Sequence, residues 1–217
     1  PSLVNCQITL DENSLNTTVA DQAYIAEDAA HEVTIETLVN DDDLDYSKIN
    51  KPLEIIDFTT SRWIIKFEVK NGEQAQKILL ETARPITDRV DLYEVKNGSI
   101  RQQWSNGDMI PFQQKSWDHR KNIFPISFDA EEIKSFYLIL ESDGEMISFP
   151  LTFWEEKSFH DVDYDNNLFH GFYFGVLALV VFIFFFFYLL LKEKSFLYYI
   201  LYVAFQFLLQ FSLEGFT

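Results

Sequence analysis

The sequence predicts a mainly β protein: a jelly-roll β-sandwich outside a membrane, followed by transmembrane α-helices. Three observations carry this reading. Between Lys51 and Trp154, short runs with apolar residues at every second position are punctuated by Asn71-Gly72, Asn97-Gly98, Asn106-Gly107 and Asp143-Gly144, pairs that supply the positive-φ residues a tight hairpin needs. The run Asn166 to Leu191 then contains no Asp, Glu, Lys or Arg. After only Lys192-Glu193-Lys194, a second uncharged stretch extends from Ser195 to Leu213.

Residues 1–20 are polar, with Asp11-Glu-Asn-Ser-Leu-Asn-Thr-Thr18 at their centre, and read as a flexible lead-in. They hold the single cysteine, Cys6, which cannot form an intramolecular disulfide and reads as an incidental thiol. Asn16-Thr17-Thr18 matches a glycosylation acceptor only as a weak three-residue pattern. Residues 21–158 are expected to form the sandwich. Within them, Val33 to Val39 suits either a strand or a short helix. In Arg62 to Val69, Trp63, Ile65, Phe67 and Val69 share one face, while Arg62, Lys66 and Glu68 share the other. Phe136, Leu138 and Leu140 repeat that pattern, as do Ile147, Phe149 and Leu151. Lys77 to Glu81 has a continuous apolar centre that suits a buried strand, and Arg89–Val95 and Asn122–Phe128 complete the set. Strands at this spacing without strong helical segments between them favour a sandwich.

Residues 159–167 are expected to be a juxtamembrane linker, 168–191 the first membrane helix, 192–194 a cytoplasmic turn and 195–214 the second helix. At ~1.5 Å per residue, the apolar part of the first run, Phe169 to Leu191, is about long enough for a ~30 Å hydrocarbon core, and it has no polar face for water. Lys192 and Lys194 place the short turn in the cytoplasm. The first 160 residues then lie outside a bacterial inner membrane, in the periplasm or extracellular space. Exporting them calls for a cleaved signal ahead of Pro1, unless the sequence simply starts inside a longer chain, and the chain is expected to continue beyond Thr217.

Charge excludes one class of partner. Five of the 34 acidic and two of the 17 basic residues lie beyond His160, leaving 29 acidic against 15 basic before it. Such a surface repels nucleic acid. Catalysis finds no pattern either. The histidines (His31, His119, His160, His170) are scattered, and neither a Gly-rich phosphate loop nor a nucleophile elbow occurs. Asp41-Asp42-Asp43-Leu44-Asp45 and the weak metal candidates Asp161, Asp163 and Asp165 offer alternating carboxylates of the kind Ca²⁺ prefers. Neither fits an EF-hand, whose sixth position would be Gly rather than Tyr46 or Asn166, and whose twelfth would be Glu rather than Pro52 or Phe172. Solvated acidic loops are the simpler reading, and no cofactor is expected.

An ordered series of motifs adds a resemblance. Ser61 to Val69 is followed by Ile86-Thr-Asp-Arg-Val-Asp-Leu-Tyr93 and Gly107-Asp-Met-Ile-Pro-Phe112. Then come His119-Arg120, Ile123-Phe-Pro-Ile126, Phe136 to Ser142 and Ser148-Phe-Pro-Leu151. The series resembles the second type of extracellular sensing domain in bacterial 7TMR-DISM receptors, seven-transmembrane receptors with diverse intracellular signalling modules. Gly171-Phe-Tyr-Phe-Gly175 and Lys194-Ser-Phe-Leu-Tyr-Tyr199 resemble the opening of that family's membrane domain. Ile55-Ile-Asp-Phe58 departs from the family's usual turn. The resemblance implies a jelly roll akin to carbohydrate-binding modules. It would sense a ligand outside the membrane and pass the signal through helices to a kinase, cyclase, diguanylate cyclase or phosphatase domain.

A sugar site would combine aromatic platforms with polar neighbours. The candidates are Tyr93, Arg101, Trp104, Trp117, His119 and Arg120. Tyr93 and Trp104 equally suit strand packing, His119-Arg120 equally suits a loop brace, and Trp63 suits the core. The expected partners are the lipid bilayer, an extracytoplasmic ligand with carbohydrate the first class to test, and a second copy meeting through membrane or output domains. A membrane-anchored adhesion module and a periplasmic protein-interaction domain are the rival readings. In the second helix, Gln206 and Gln210 share a face suited to packing against other helices.

Overall fold

In the computed structural model, which describes residues 7–11, 14–40, 43–50, 55–56 and 58–216, β1 (Gln7–Thr9), β2 (Tyr24–Asp28), α1 (Ile35–Asn40), β3 (Ser47–Lys48) and β4 (Ile55–Ile56) precede the long strands. These are β5 (Arg62–Lys70), β6 (Gln76–Glu81), β7 (Arg89–Lys96), β8 (Ser99–Asn106), β9 (Ile123–Phe128) and β10 (Ile133–Glu141), followed by β11 (Ile147–Ser148) and β12 (Thr152–Glu155). The helices α2 (Glu156–Leu191) and α3 (Lys194–Leu213) come last. Cys6, Asp41, Asp42, Lys51, Pro52 and Thr217, on which sequence readings fell, lie outside the described residues. The chain divides into two units after Glu156.

The first unit is the expected β-sandwich. A seven-stranded sheet has the order β3-β2-β5-β10-β7-β8, with β1 paired parallel to the last residues of β5. A three-stranded sheet, β12-β6-β9, faces it, and β11-β4 makes a two-stranded ribbon. The alternation read from the sequence decides the inner surface. Ile65, Phe67 and Val69 of β5 meet Phe136, Leu138 and Leu140 of β10 in one buried cluster with Ile78, Leu80, Phe124, Ile126 and Phe153 of the smaller sheet. Phe67 stacks on Phe136 at 5.4 Å and meets Phe153 edge-on at 6.4 Å, so one ring bridges both sheets. Each such side chain contributes about 1.5–3 kcal/mol of burial.

Three expectations change. The lead-in is part of the sandwich: Ile8 is fully buried, Leu10 and Val19 are 4% exposed, and Asn16 and Val19 donate backbone hydrogen bonds to Phe153 and Leu151. Ile8, Leu10 and Val19 point inward although they stand in a largely polar segment. Of the four turn dipeptides, only Asn97-Gly98 closes a two-residue hairpin, with φ of 53° and 68° between paired Lys96 and Ser99. Asn71 instead uses its side-chain amide to hold the carbonyls of Gln74 and Asp129 as the chain crosses between sheets. Residues 159–167 are helical rather than a linker, because α2 begins at Glu156. No Pro or Gly interrupts them, and Glu156 stands in the first turn, where the dipole favours an acidic residue.

The second unit is a helical hairpin whose two helices are long and apolar enough to cross a membrane. At ~1.5 Å per residue α2 is about 54 Å long, so its polar start extends beyond a ~30 Å hydrocarbon core. Lys192 adopts φ 51° and returns its N–H to the Tyr188 carbonyl, ending α2 before Lys194 opens α3. Aromatic rings fill the seam: Phe184 lies 4.3 Å from Tyr199 and Phe174 lies 5.0 Å from Phe207.

Gly107 is required by close approach. At φ +125°, an added Cβ would lie 2.3 Å from the Asp88 carbonyl oxygen, where the loop after β8 crosses the entry to β7. Gly107→Ala should cost at least about 2 kcal/mol through clash and strain, read as a lowered denaturation midpoint of the β unit.

Candidate functional site

The outer face of the seven-stranded sheet carries a row of alternating charge. Cross-strand register brings Asp28 opposite Arg62 and Glu141 opposite Arg89 on adjacent strands. Arg62 Nη2 lies 2.6 Å from Glu141 Oε1, and its Nη1 lies 3.7 Å from Asp28 Oδ2. Asp28 is 5% exposed, and its two oxygens accept the N–H groups of Glu32 and Val33. Arg62 Nη1 also donates to the Val33 carbonyl at 2.9 Å. Together these bonds fasten the segment ahead of α1 to the sheet.

Helix α1 then covers part of the face. Ile35 and Leu38 pack with Ile64, Tyr93, Tyr137 and Ile139 in a second apolar cluster. Beside α1 remains an open groove of about 360 Å³, bordered by Val33 to Glu36 and floored by Arg62, Arg89, Asp91, Tyr93, Gln103, Ile139 and Glu141. Small-ligand sites of this kind begin near ~300 Å³. Arg89 Nε donates to Asp91 Oδ2 at 2.7 Å, and the neighbouring Asp91 carboxylate holds the Arg89 guanidinium above its usual range. Asp91 is 6% exposed, and its other oxygen, Oδ1, is buried without a hydrogen-bond partner among the described residues. Gln103 Nε2 donates to the Tyr93 hydroxyl at 3.2 Å. Burial, then the Asp91 charge, pushes the Tyr93 phenol up, keeping it neutral.

The six sugar-site candidates fall in different places. Tyr93 lines the groove, but it is only 8% exposed, so its ring is no stacking platform. Trp104 is a core residue: its side chain faces inward from β8 at 8% exposure, which leaves no free ring face. Arg101 is exposed at a bulge, because Glu94 pairs with Gln102 while Val95 pairs with Ile100. Trp117, His119 and Arg120 share the long loop before β9. There Lys77 Nζ lies 5.1 Å from the Trp117 ring centre, and His119 Nδ1 accepts the Lys121 N–H. The residues that sequence reasoning missed are Arg62, Arg89, Asp91, Gln103 and Glu141. Their outward positions in alternating strands were the available signal, and only strand register brings them together.

The metal candidates do not converge. On a helix at ~100° per residue, Asp163 lies opposite Asp161 and Asp165, and Asp163 Oδ2 accepts the Asn167 amide. Among the described residues, no group of three His, Cys, Asp or Glu could hold a metal ion.

Residues 20–155 match the family model described as 7TMR-DISM extracellular 2, and residues 166–217 match that described as 7TM diverse intracellular signalling. No curated protein matches the chain in sequence. Among solved structures it is similar to TmCBM61 in complex with β-1,4-galactotriose, at 10% identity and TM-score 0.32, covering 65% of this chain and 90% of that one. It is also similar to a family 6 carbohydrate-binding module, at 7% identity and TM-score 0.25, covering 48% and 82%. A third likeness is the GH31 α-xylosidase from Xanthomonas citri, at 11% identity and TM-score 0.29, covering 59% and 13%. Scores this low carry no conclusion about a ligand.

Loops at one end of the sandwich gather further charge. The Glu145 carboxyl is raised first by burial and then by Asp88 and Asp143. A raised folded-state value means that folding favours the neutral form. The stability this contributes is complete below the ordinary carboxylate range and is lost as pH rises through the raised value. Glu145→Gln should therefore raise the melting temperature at about pH 7, and the gain should vanish near pH 4, where the wild-type group is itself neutral; thermal melts at the two pH values check this.

Proposed function

The chain belongs to the 7TMR-DISM receptor family, a membrane protein family with an extracellular N-terminal domain, and on that premise we propose that the groove beside α1 is the ligand site of the sensor. The ligand class that fits best is a neutral, polyhydroxylated molecule, a mono- or oligosaccharide of the bacterial envelope. One observation carries this reading: the groove's two arginines are already paired with Glu141 and Asp91, yet Asp91 keeps a buried acceptor without a donor among the described residues. An anionic ligand would have to draw Arg62 from Glu141 or Arg89 from Asp91. A sugar hydroxyl can accept from Gln103 and, once the Asp91 side chain turns to open Oδ1 to the groove, donate to that oxygen while Arg62–Glu141 stays intact. Leaving such an acceptor unmet costs about 1–3 kcal/mol, which ligand binding would recover.

In this reading the β domain recognises its ligand in the periplasm, on the outer side of the bacterial inner membrane. The chain's role is recognition, and any catalytic step belongs to a cytoplasmic output domain. Helix α2 begins at the residue after β12, so a change in the sandwich reaches the membrane segment along continuous secondary structure. The helices then bias a bistable bundle.

The test is binding of neutral glycans to the sensor domain, first on an array and then by calorimetry. Asp91→Ala should weaken the selected sugar by about 10–100-fold, as loss of a charge-assisted hydrogen bond implies, while the melting temperature stays near that of the wild type. Silence across neutral glycans, with a protein partner recovered by crosslinking, would replace this reading with a protein-interaction domain.

A further inference from the structure

At the outer end of the helical hairpin, two ionisable side chains meet within the apolar unit. His170 of α2 places Nε2 3.4 Å from Glu214 Oε2, just past the end of α3. Their side chains are 18% and 31% exposed. The other ring nitrogen, Nδ1, lies 2.7 Å from the Asn166 carbonyl oxygen. A carbonyl oxygen only accepts, so Nδ1 must carry a hydrogen. This assignment fixes what the His170–Glu214 contact requires. A neutral imidazole protonated on Nδ1 presents a lone pair at Nε2, and an ionised carboxylate presents only lone pairs. Two acceptors repel each other. The contact therefore holds one additional proton, carried on Nε2 or on Glu214.

Further contacts hold the pair in place. Gln210 Nε2 donates to Glu214 Oε1 at 3.1 Å and orients the carboxyl group. The imidazole packs among aromatic rings, 6.2 Å from Phe174 and 5.9 Å from Phe216. Phe174 also meets Phe211 at 5.5 Å, so the pair caps the outer end of the aromatic seam between the helices. The other titratable groups of α2 toward this end are His160, Asp161, Asp163, Tyr164, Asp165 and Tyr173. Asp163 is engaged by Asn167. From the α3 side the ionisable group facing His170 is Glu214, since Lys194 lies at the opposite end of that helix.

Polar and ionisable groups at membrane depth are expensive to keep and mark function more often than structure. We propose that His170 and Glu214 form a proton-binding latch: a proton taken from the sensor's side of the membrane holds the outer ends of α2 and α3 together, and its loss releases them. Both ends of the hairpin that carry the pair face that side, because the intervening turn of Lys192 and Glu193 lies at the other. Imidazole is the side chain whose charge changes most readily near neutral pH, so the latch would let outside acidity bias the bundle independently of ligand in the groove.

The experiment places spin labels at the exposed positions Leu168 and Leu213 of the full receptor in lipid and follows the inter-label distance from about pH 5 to about pH 9, the window that brackets imidazole titration. The wild type should lengthen as pH rises, in a single-proton transition. Glu214→Gln supplies an amide hydrogen that can bond to Nε2 without any added proton, so its distance should stay short at every pH. His170→Phe should give the long distance throughout. A wild-type distance that is flat across the range, or a Glu214→Gln receptor that keeps the wild-type transition, overturns the latch.

Discussion

Arg62 is the interaction on which the outer face depends. Its guanidinium reaches Glu141 on one neighbouring strand, Asp28 on the other, and the Val33 carbonyl ahead of α1. Asp28 completes the clamp by accepting two N–H groups from the same segment. Because Asp28 is nearly buried, removing its cation would strand a charge, at a cost of several kcal/mol. The clamp sets where α1 lies, α1 sets which part of the apolar cluster around Ile64, Tyr137 and Ile139 is covered, and the uncovered remainder is the groove.

The inner surface of the sandwich was legible because it follows from period-two alternation alone. Phe67, Phe136 and Leu138 are inward in the structure for the same reason that they alternate in the sequence. The groove was not legible, because it depends on register. Arg62 and Glu141 are far apart in sequence and meet only because β5 and β10 pair with Leu140 opposite Trp63. Trp104 shows the opposite failure. An aromatic residue among polar neighbours suits a sugar platform and a core position equally, and strand parity at β8 turned it inward. Ile8 was missed although it alternates with Leu10, because two apolar positions in a polar segment make too short a period, and Val19 lies apart from them.

The membrane unit follows a different rule. Its spans were readable from the absence of charge, and its turn from two lysines, but the packing between the helices was not. Phe174, Phe184, Tyr199 and Phe207 are indistinguishable in sequence from the rings that face lipid, and only the hairpin geometry selects them. His170 and Glu214 are likewise unremarkable in sequence, 44 positions apart, and become a pair because antiparallel helices bring their outer ends together.

Where a ligand binds decides the role of the groove. A crystal structure of the sensor domain with a bound neutral glycan is the most direct measurement. The groove account predicts sugar density beside α1, with a hydroxyl within hydrogen-bond distance of Asp91 Oδ1 and the Arg62–Glu141 pair intact. Sugar stacked instead on Trp117 in the loop before β9, with the groove empty, would contradict it.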